Sequence, residues 1–174
     1  MNIKWIGSLL TAIFRELSSL TWIPQLLMRL FVGYFFMTSG WAKIHDLASF
    51  AQNFAGWGIP YPAFNAALSA YTEFIGGALT IAGLGMRFVS IPMIINMIVA
   101  ILSVKLKEVS SLTDFANLDE PMYGLVYVWL LFSGAGAVSL DAIIKLLLGR
   151  RFEAQTTRDP AISTSTGVSR ASAI

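Results

Sequence analysis

Residues 26–44 read LLMRLFVGYFFMTSGWAKI, a stretch of 19 residues in which Arg29 and Lys43 are the charged positions. As an α-helix this stretch is about 28 Å long, which matches a bilayer hydrocarbon core of about 30 Å. Three further apolar stretches of similar length follow, over residues 63–85, 88–106 and 122–140. Four such stretches predict an all-α membrane protein built as a bundle of four transmembrane helices.

The composition supports this prediction and excludes several function classes. Apolar residues make up 56% of the chain and charged residues 13%, whereas soluble domains contain about one quarter charged residues. No stretch interleaves basic and aromatic residues as nucleic-acid-binding surfaces do, so nucleic acid is not expected as a partner. The chain contains no cysteine, which excludes a disulfide, a reactive thiol and an iron–sulfur cluster held by this chain alone.

The distribution of Lys and Arg predicts the orientation. With four crossings, nine basic residues share one side of the membrane and three lie on the other. Because cytoplasmic loops are enriched in Lys and Arg, both termini are expected on the cytoplasmic side of the membrane. The cytoplasmic group comprises Lys4, Arg15, Arg29, Arg87, Lys145, Arg150, Arg151, Arg158 and Arg170, and the external group comprises Lys43, Lys105 and Lys107.

Three regions are predicted along the chain. Residues 1–23 have apolar residues at helical spacing and predict an amphipathic helix on the cytoplasmic face, with a fifth crossing as the alternative. Residues 24–151 form the membrane domain, whose last part, 139–151, predicts a second interfacial helix that is capped by Ser139 and turns basic residues toward anionic lipid. Residues 152–174 are rich in Ser and Thr and predict a disordered cytoplasmic tail.

The connections between the predicted crossings are short. Asp46 is expected to cap a helical turn after the first crossing. Met86 and Arg87 are expected to form a tight hairpin that makes the second and third crossings antiparallel neighbours. The run of small residues at 134–137 is expected to let another backbone approach closely.

Three ionisable residues, Glu73, Lys43 and Arg29, lie where hydrocarbon is expected. Such residues usually face the bundle interior and have partners. Helix geometry places Glu73 about 15 Å deep, and antiparallel helices lean the side chains of Lys43 and Glu73 toward each other. The sequence therefore predicts a Glu73–Lys43 pair that is either catalytic or fixes the helix register. Arg29 and Asp141, near the cytoplasmic surface, are predicted to form a second, structural ion pair.

Aromatic and polar residues near Glu73 are candidates for binding a cofactor, although packing in the bundle core explains them equally well. The candidate cofactor-binding residues are Trp41, Tyr71, Phe74 and Asn96. Met93 and Met97 flank Asn96 at helical spacing and either pack in the core or contact a soft metal or a planar ring. His45 is the single histidine and cannot supply a multi-histidine site, so no metal site is predicted.

The order and spacing of these motifs resemble the DoxX family. The resemblance covers about residues 26–148. It rests on RLFVG (29–33), SGWAK (39–43), EFIGG (73–77), GLGMR (83–87) and GAG (134–136) with SLD (139–141). Ala135 stands where the family commonly has a proline. The resemblance implies a four-helix inner-membrane protein of a family often labelled as oxidoreductases. Some relatives are subunits of thiosulfate:quinone oxidoreductase, and others accompany oxidative-stress or metal-handling proteins.

Three functions therefore stay open. The first is a quinone-linked oxidoreductase subunit, or an accessory of a membrane redox or stress-response complex, in which a bound quinone or the cofactor of a partner carries the electrons. The second is a non-enzymatic membrane anchor or assembly factor. The third is a small transporter or metal-handling protein that uses Glu73, Asn96 and the methionines Met93 and Met97 as a site near the membrane midplane. The expected partners are the lipid bilayer, a membrane or soluble redox protein, and a second copy of the chain.

Overall fold

A computed structural model describes residues 20–104, 109 and 111–158, together with Thr11, Phe14 and Ser18; for residues 150–158 it describes the backbone. Within these residues the chain forms seven helices and no strand, so the all-α prediction is confirmed. The helices are α1 (Trp22–His45), α2 (Leu47–Gly56), α3 (Pro62–Ala82), α4 (Met86–Ser103), α5 (Leu112–Ala116), α6 (Asp119–Ser133) and α7 (Leu140–Arg158).

Helices α1, α3, α4 and α6 correspond to the four predicted crossings. Among the described residues, α4 is the one helix that meets the length and hydropathy expected of a membrane-crossing helix. Helices α1 and α3 are longer, with 24 and 21 residues, but small and polar residues interrupt their apolar sequence. The number of crossings therefore stays a prediction.

The closest helix contact joins α1 and α3 and depends on glycine. A Cβ atom added at Gly33 would lie 2.9 Å from the carbonyl oxygen of Gly77, and one added at Gly40 would lie 2.8 Å from the carbonyl oxygen of Ala70. No side chain fits at these distances, so the two backbones are in direct contact, as small residues permit between membrane helices. This contact brings Ser39 and Lys43 on α1 next to Glu73 on α3.

The apolar core lies between α1, α4 and α6. Met93 and Met97 belong to it, with exposures of 0% and 5%, and the Cβ position of Gly76 on α3 lies 2.6 Å from the sulfur of Met93. Packing therefore accounts for both methionines. The core residues are Val32, Phe36, Met86, Val89, Met93, Met97, Tyr127, Leu130 and Ala135.

The turn between α3 and α4 differs from the predicted hairpin. Gly83 and Gly85 have φ values of +66° and +62°, a left-handed conformation that glycine adopts without a steric penalty. These residues make the turn, and Met86 and Arg87 already belong to the first turn of α4. By contrast, the predicted cap at Asp46 is confirmed, because its side chain accepts a hydrogen bond from the backbone N–H of Ser49 at the start of α2.

The fourth predicted crossing, residues 122–140, is not one continuous helix. Helix α6 ends at Ser133 because Gly134 and Gly136 take φ values of +75° and +79°. The chain then runs without helix to α7, where Ser139 Oγ accepts a hydrogen bond of 3.1 Å from the backbone N–H of Ala142, as predicted for the cap. The bend therefore forms although Ala135 replaces the proline common in the family.

The structure describes part of the predicted C-terminal tail but little of the predicted N-terminal helix. Helix α7 continues to Arg158, which corrects the predicted start of the disordered tail at residue 152. The sequence FEAQ at 152–155 contains mostly good helix formers, which favours this extension. Residues 159–174 and most of the predicted amphipathic helix at 1–23 lie outside the described residues.

Candidate functional site

Glu73 lies in α3 and is almost completely buried, with an exposure of 3%. Lys43 Nζ on α1 lies 2.6 Å from each oxygen of the Glu73 carboxylate. Ser39 Oγ, one helical turn before Lys43, donates a hydrogen bond of 2.9 Å to Oε2 of the same carboxylate. The structure therefore brings the two predicted residues together and adds a serine that the sequence analysis missed.

A further donor reaches Glu73 from α4. Asn96 Nδ2 donates to Glu73 Oε1 at 3.1 Å, and Ser69 Oγ donates to Asn96 Oδ1 at 2.8 Å. Ser69 lies one turn before Glu73, so the same face of α3 holds both the carboxylate and the group that orients the asparagine. Donors from α1 and α4 thus compensate the charge of a carboxylate that its burial withdraws from water.

A cavity of about 290 Å³ opens beside this network. Its polar lining includes Lys43, Ser69, Glu73, Asn96 and Glu120, and its apolar lining includes Phe50, Phe54, Trp57, Ile59 and Val99. A second cavity of about 650 Å³ shares part of this wall and continues between α3 and α4. An apolar cavity with a few convergent polar groups is typical of a small-molecule site.

A third, smaller cavity lies on the α6 side of the ion pair. Its volume is about 130 Å³, which is room for a few water molecules. Glu73, Lys43 and Glu120 line both this cavity and the 290 Å³ cavity. The ion pair therefore lies between the 290 Å³ cavity, which is largely apolar, and the 130 Å³ cavity, which is more polar. The acidic start of α6 borders the smaller cavity.

Three of the candidate cofactor-binding residues lie elsewhere. Trp41 and Phe74 contact each other, with ring centroids 5.4 Å apart, and Trp41 and Tyr71 are exposed. None of the three lines the cavities that contain Glu73. Trp41 and Tyr71 stand two residues from Lys43 and Glu73, which turns them about 200° around their helices. The aromatic wall comes instead from α2 and the residue that follows it, and Asn96 is the candidate that lies in the site.

Arg29 is buried, with an exposure of 1%, and it donates hydrogen bonds to four backbone carbonyl groups. Two of them, Thr80 and Ile81, lie in the last turn of α3, each 3.0 Å from the guanidinium. The other two, Val138 at 2.9 Å and Ala135, lie in the non-helical segment after α6. Arg29 thus satisfies carbonyl groups that a helix end and a broken helix leave without partners.

Arg29 and Asp141 interact electrostatically, but among the described contacts they form no salt bridge within 4.0 Å. The Asp141 carboxylate instead accepts hydrogen bonds from the backbone N–H groups of Gly85 at 2.8 Å and Met86 at 3.4 Å. It therefore caps the N-terminus of α4, where a negative charge is favourable. Each of the two side chains thus makes its hydrogen bonds to backbone groups rather than to the other side chain.

His45 lies at the exposed end of α1, where its Nδ1 is 2.9 Å from the carbonyl oxygen of Trp41. Within the described residues there is no group of three or more His, Cys, Asp or Glu side chains that is arranged to hold a metal ion. The Glu73 network is therefore the cluster on which the functional argument depends.

Comparison with known proteins agrees with these motifs. The model of the DoxX family matches residues 25–106, which contain Ser39, Lys43, Ser69, Glu73 and Asn96. The chain belongs to the DoxX family. No solved structure matches it.

Two relatives are bacterial proteins. The chain is 36% identical over 85 residues to "Putative oxidoreductase CatD" of Bacillus subtilis, a match that covers 49% of this chain and 62% of the relative. It is 31% identical over 126 residues to "Uncharacterized membrane protein Rv3486" of Mycobacterium tuberculosis, which covers 66% of this chain and 77% of the relative. The family and the second relative support a membrane location for the chain.

Proposed function

We propose that this chain is a multi-pass protein of the bacterial cytoplasmic membrane, with α1, α3, α4 and α6 as its crossings and both termini in the cytoplasm. The support is that apolar and charged side chains are distributed in the reverse of the way they are in a soluble protein. Large apolar side chains such as Phe31 on α1 and Phe132 on α6 are 73% and 76% exposed, whereas Arg29 and Glu73 are buried. Lipid favours apolar groups on the outside and paired charges inside.

Helix α6, the fourth proposed crossing, is short but fits this arrangement. Helix α6 has 15 residues, or about 22 Å, which is less than the hydrocarbon thickness. The segment after it completes the crossing, because Arg29 and Gln25 bind its carbonyl groups; Gln25 Nε2 donates to the Gly134 carbonyl oxygen at 3.0 Å. Non-helical backbone is tolerated at membrane depth where protein satisfies it in this way.

Within that frame, the chain is a quinone-binding subunit of a membrane oxidoreductase. The observation that carries this proposal is the buried Glu73 network beside a mainly apolar cavity of about 290 Å³. A quinone head is a flat apolar ring with carbonyl oxygens, and Lys43 and Asn96 supply hydrogen-bond donors in the wall of this cavity. Aromatic side chains from α2 offer faces for the ring to pack against.

The larger cavity provides a place for the isoprenoid tail. It continues between α3 and α4 past Leu68, Ile95 and Leu102, whose side chains are 54%, 55% and 60% exposed. In the proposed orientation these residues face lipid. A quinone therefore has a lateral route from the bilayer to Glu73 that does not pass through water.

The Lys43–Glu73 pair is the proposed proton donor of the site. Reduction of a quinone takes up two electrons and two protons, and a redox centre of a partner protein supplies the electrons. Lys43 and Glu73 would hold each of the two protons in turn and donate it to a carbonyl oxygen of a bound quinone, as general acid–base chemistry requires. The 130 Å³ cavity, which Asp119 and Glu120 border, has room for water that would return a proton to the pair after each transfer.

Quinone retention tests the proposal. The protein is purified in detergent without added quinone, its lipid-soluble contents are measured by mass spectrometry, and the affinity for added quinone is then titrated. Wild type is expected to retain quinone and E73Q to bind it about tenfold more weakly, since a charge-assisted hydrogen-bond network is lost. D114N is the charge-matched control, because Asp114 lies in the exposed helix α5 and lines none of the three cavities around Glu73.

Two results would contradict the proposal. Wild-type protein that retains no quinone but co-purifies with a redox enzyme would favour a membrane anchor or assembly factor. Equal affinities of wild type and E73Q would remove Glu73 from the binding site.

A further inference from the structure

A separate cavity of about 510 Å³ lies at the end of the bundle remote from Glu73. The start of α4, the end of α6 and the start of α7 enclose it. We propose that this cavity binds the phosphate-containing headgroup of an anionic glycerophospholipid. The proposal requires the membrane location but not the quinone chemistry.

Two cations line this cavity, Arg87 on α4 and Lys145 on α7. The Arg87 guanidinium lies over the backbone at Gly134, with its Nε 4.0 Å from the Cβ position of that glycine. Neither cation makes a hydrogen bond or ion pair with another residue that the structure describes. Both charges are thus available to a ligand.

An acidic residue shares the cavity but does not neutralise these cations. Asp141 directs its carboxylate to the backbone N–H groups of Gly85 and Met86 at the N-terminus of α4. Its hydrogen-bonding capacity is used in that cap, and no ion pair links it to Arg87 or Lys145. An anion that enters the cavity therefore meets two basic side chains without an acidic partner.

The apolar side chains in the cavity wall favour a lipid over free phosphate. Phe88, next to Arg87, is 81% exposed, and Ile144, next to Lys145, is 44% exposed. Each cation thus has an apolar neighbour against which an acyl chain packs. The excess of Lys and Arg places this end of the bundle at the cytoplasmic leaflet, and anionic lipid there attracts basic residues near the surface.

Native mass spectrometry with defined lipids tests the proposal. The full chain in neutral detergent is titrated with phosphatidylglycerol or with phosphatidylcholine of the same acyl length. Wild type is expected to retain phosphatidylglycerol preferentially. R87Q and K145Q are each expected to weaken its binding about fivefold, the effect of one basic residue near an anionic surface. R87K keeps the charge and is expected to retain most of the affinity.

Two further measurements and a check on folding decide the outcome. K4Q, which removes one positive charge from the segment outside the described residues, is expected to bind phosphatidylglycerol as wild type does. Inorganic phosphate at millimolar concentration is expected not to displace the lipid, whereas displacement would assign a phosphate site instead. Equal retention of the two lipids, or a loss in K4Q as large as in R87Q, would overturn the proposal. Thermal unfolding, followed by the fluorescence of the five tryptophans, serves as the check that the variants fold.

Discussion

Removing Lys43 should harm the protein more than removing Glu73, although the two side chains form one pair. The Glu73 side chain is 4% exposed and the Lys43 side chain 29%. K43M leaves a carboxylate in a site that water barely reaches, and it keeps Ser39 and Asn96 as donors. E73Q leaves a lysine that extends toward polar surroundings on its flexible stem.

The magnitudes follow from this asymmetry. Breaking a buried ion pair by removing one partner costs about 3–5 kcal/mol. Because Lys43 is partly exposed and two other donors remain on Glu73, we expect K43M to lower the free energy of unfolding by about 2–3 kcal/mol. E73Q keeps the shape and one acceptor of the side chain and should cost about 1 kcal/mol. The stability of the double variant should lie close to that of E73Q, with a coupling energy of about 2–3 kcal/mol.

A double-mutant cycle measures these values. Unfolding is induced by dodecyl sulfate in mixed micelles and followed by the fluorescence of the five tryptophans, for wild type, both single variants and the double variant. Equal losses in K43M and E73Q, with a double variant that loses their sum, would refute the reasoning, because the carboxylate would then not depend on Lys43.

Three other perturbations test the Arg29 hydrogen bonds, the packing of α1 against α3 and the orientation of the chain in the membrane. R29M should lower the free energy of unfolding by about 4 kcal/mol in the same assay, because four carbonyl groups lose their donor, two in buried and two in part-buried hydrogen bonds. R29K should lower it clearly less, and equal losses would show that these hydrogen bonds are not the reason. G40A should reduce the yield of folded protein sharply, since a Cβ there overlaps α3, whereas G56A should be neutral because nothing lies within 4 Å of its Cβ position; similar yields of both would contradict the close contact of α1 and α3. Because the chain has no cysteine, Y61C and R87C report orientation cleanly: an impermeant maleimide should label the first in intact spheroplasts and the second only after lysis, and the reverse result would invert the topology.

The charges of the site were predictable from sequence because lipid imposes a strict rule on them. A carboxylate within an apolar stretch needs a cation, and helix geometry identified Lys43 as the residue within reach of Glu73. The serines were harder to recognise, since Ser39 and Ser69 are ordinary residues in membrane helices. Their signal was their spacing, four residues before Lys43 and four before Glu73.

The errors have a common physical origin. Hydropathy does not record where a helix stops, so the apolar stretch alone extends the fourth predicted crossing across the break at Gly134. Charge complementarity predicts a salt bridge between Arg29 and Asp141, but backbone groups at helix ends compete for the same side chains and bind both of them. Proximity to Glu73 in the sequence does not identify the aromatic wall, because the tertiary contact of α2 with α3 supplies it from Phe54 and Trp57.

The central claim is that a ligand site at Glu73 opens to the bilayer. Photo-crosslinking tests this claim most directly. A quinone with a photoreactive group on its ring is added to membranes that contain the protein, and the labelled peptides are identified by mass spectrometry. Labelling is predicted to concentrate on residues that line the cavity, such as Phe54, Trp57 and Asn96, and to fall in E73Q. Labelling spread over outward residues such as Phe31, and unchanged in E73Q, would contradict the account.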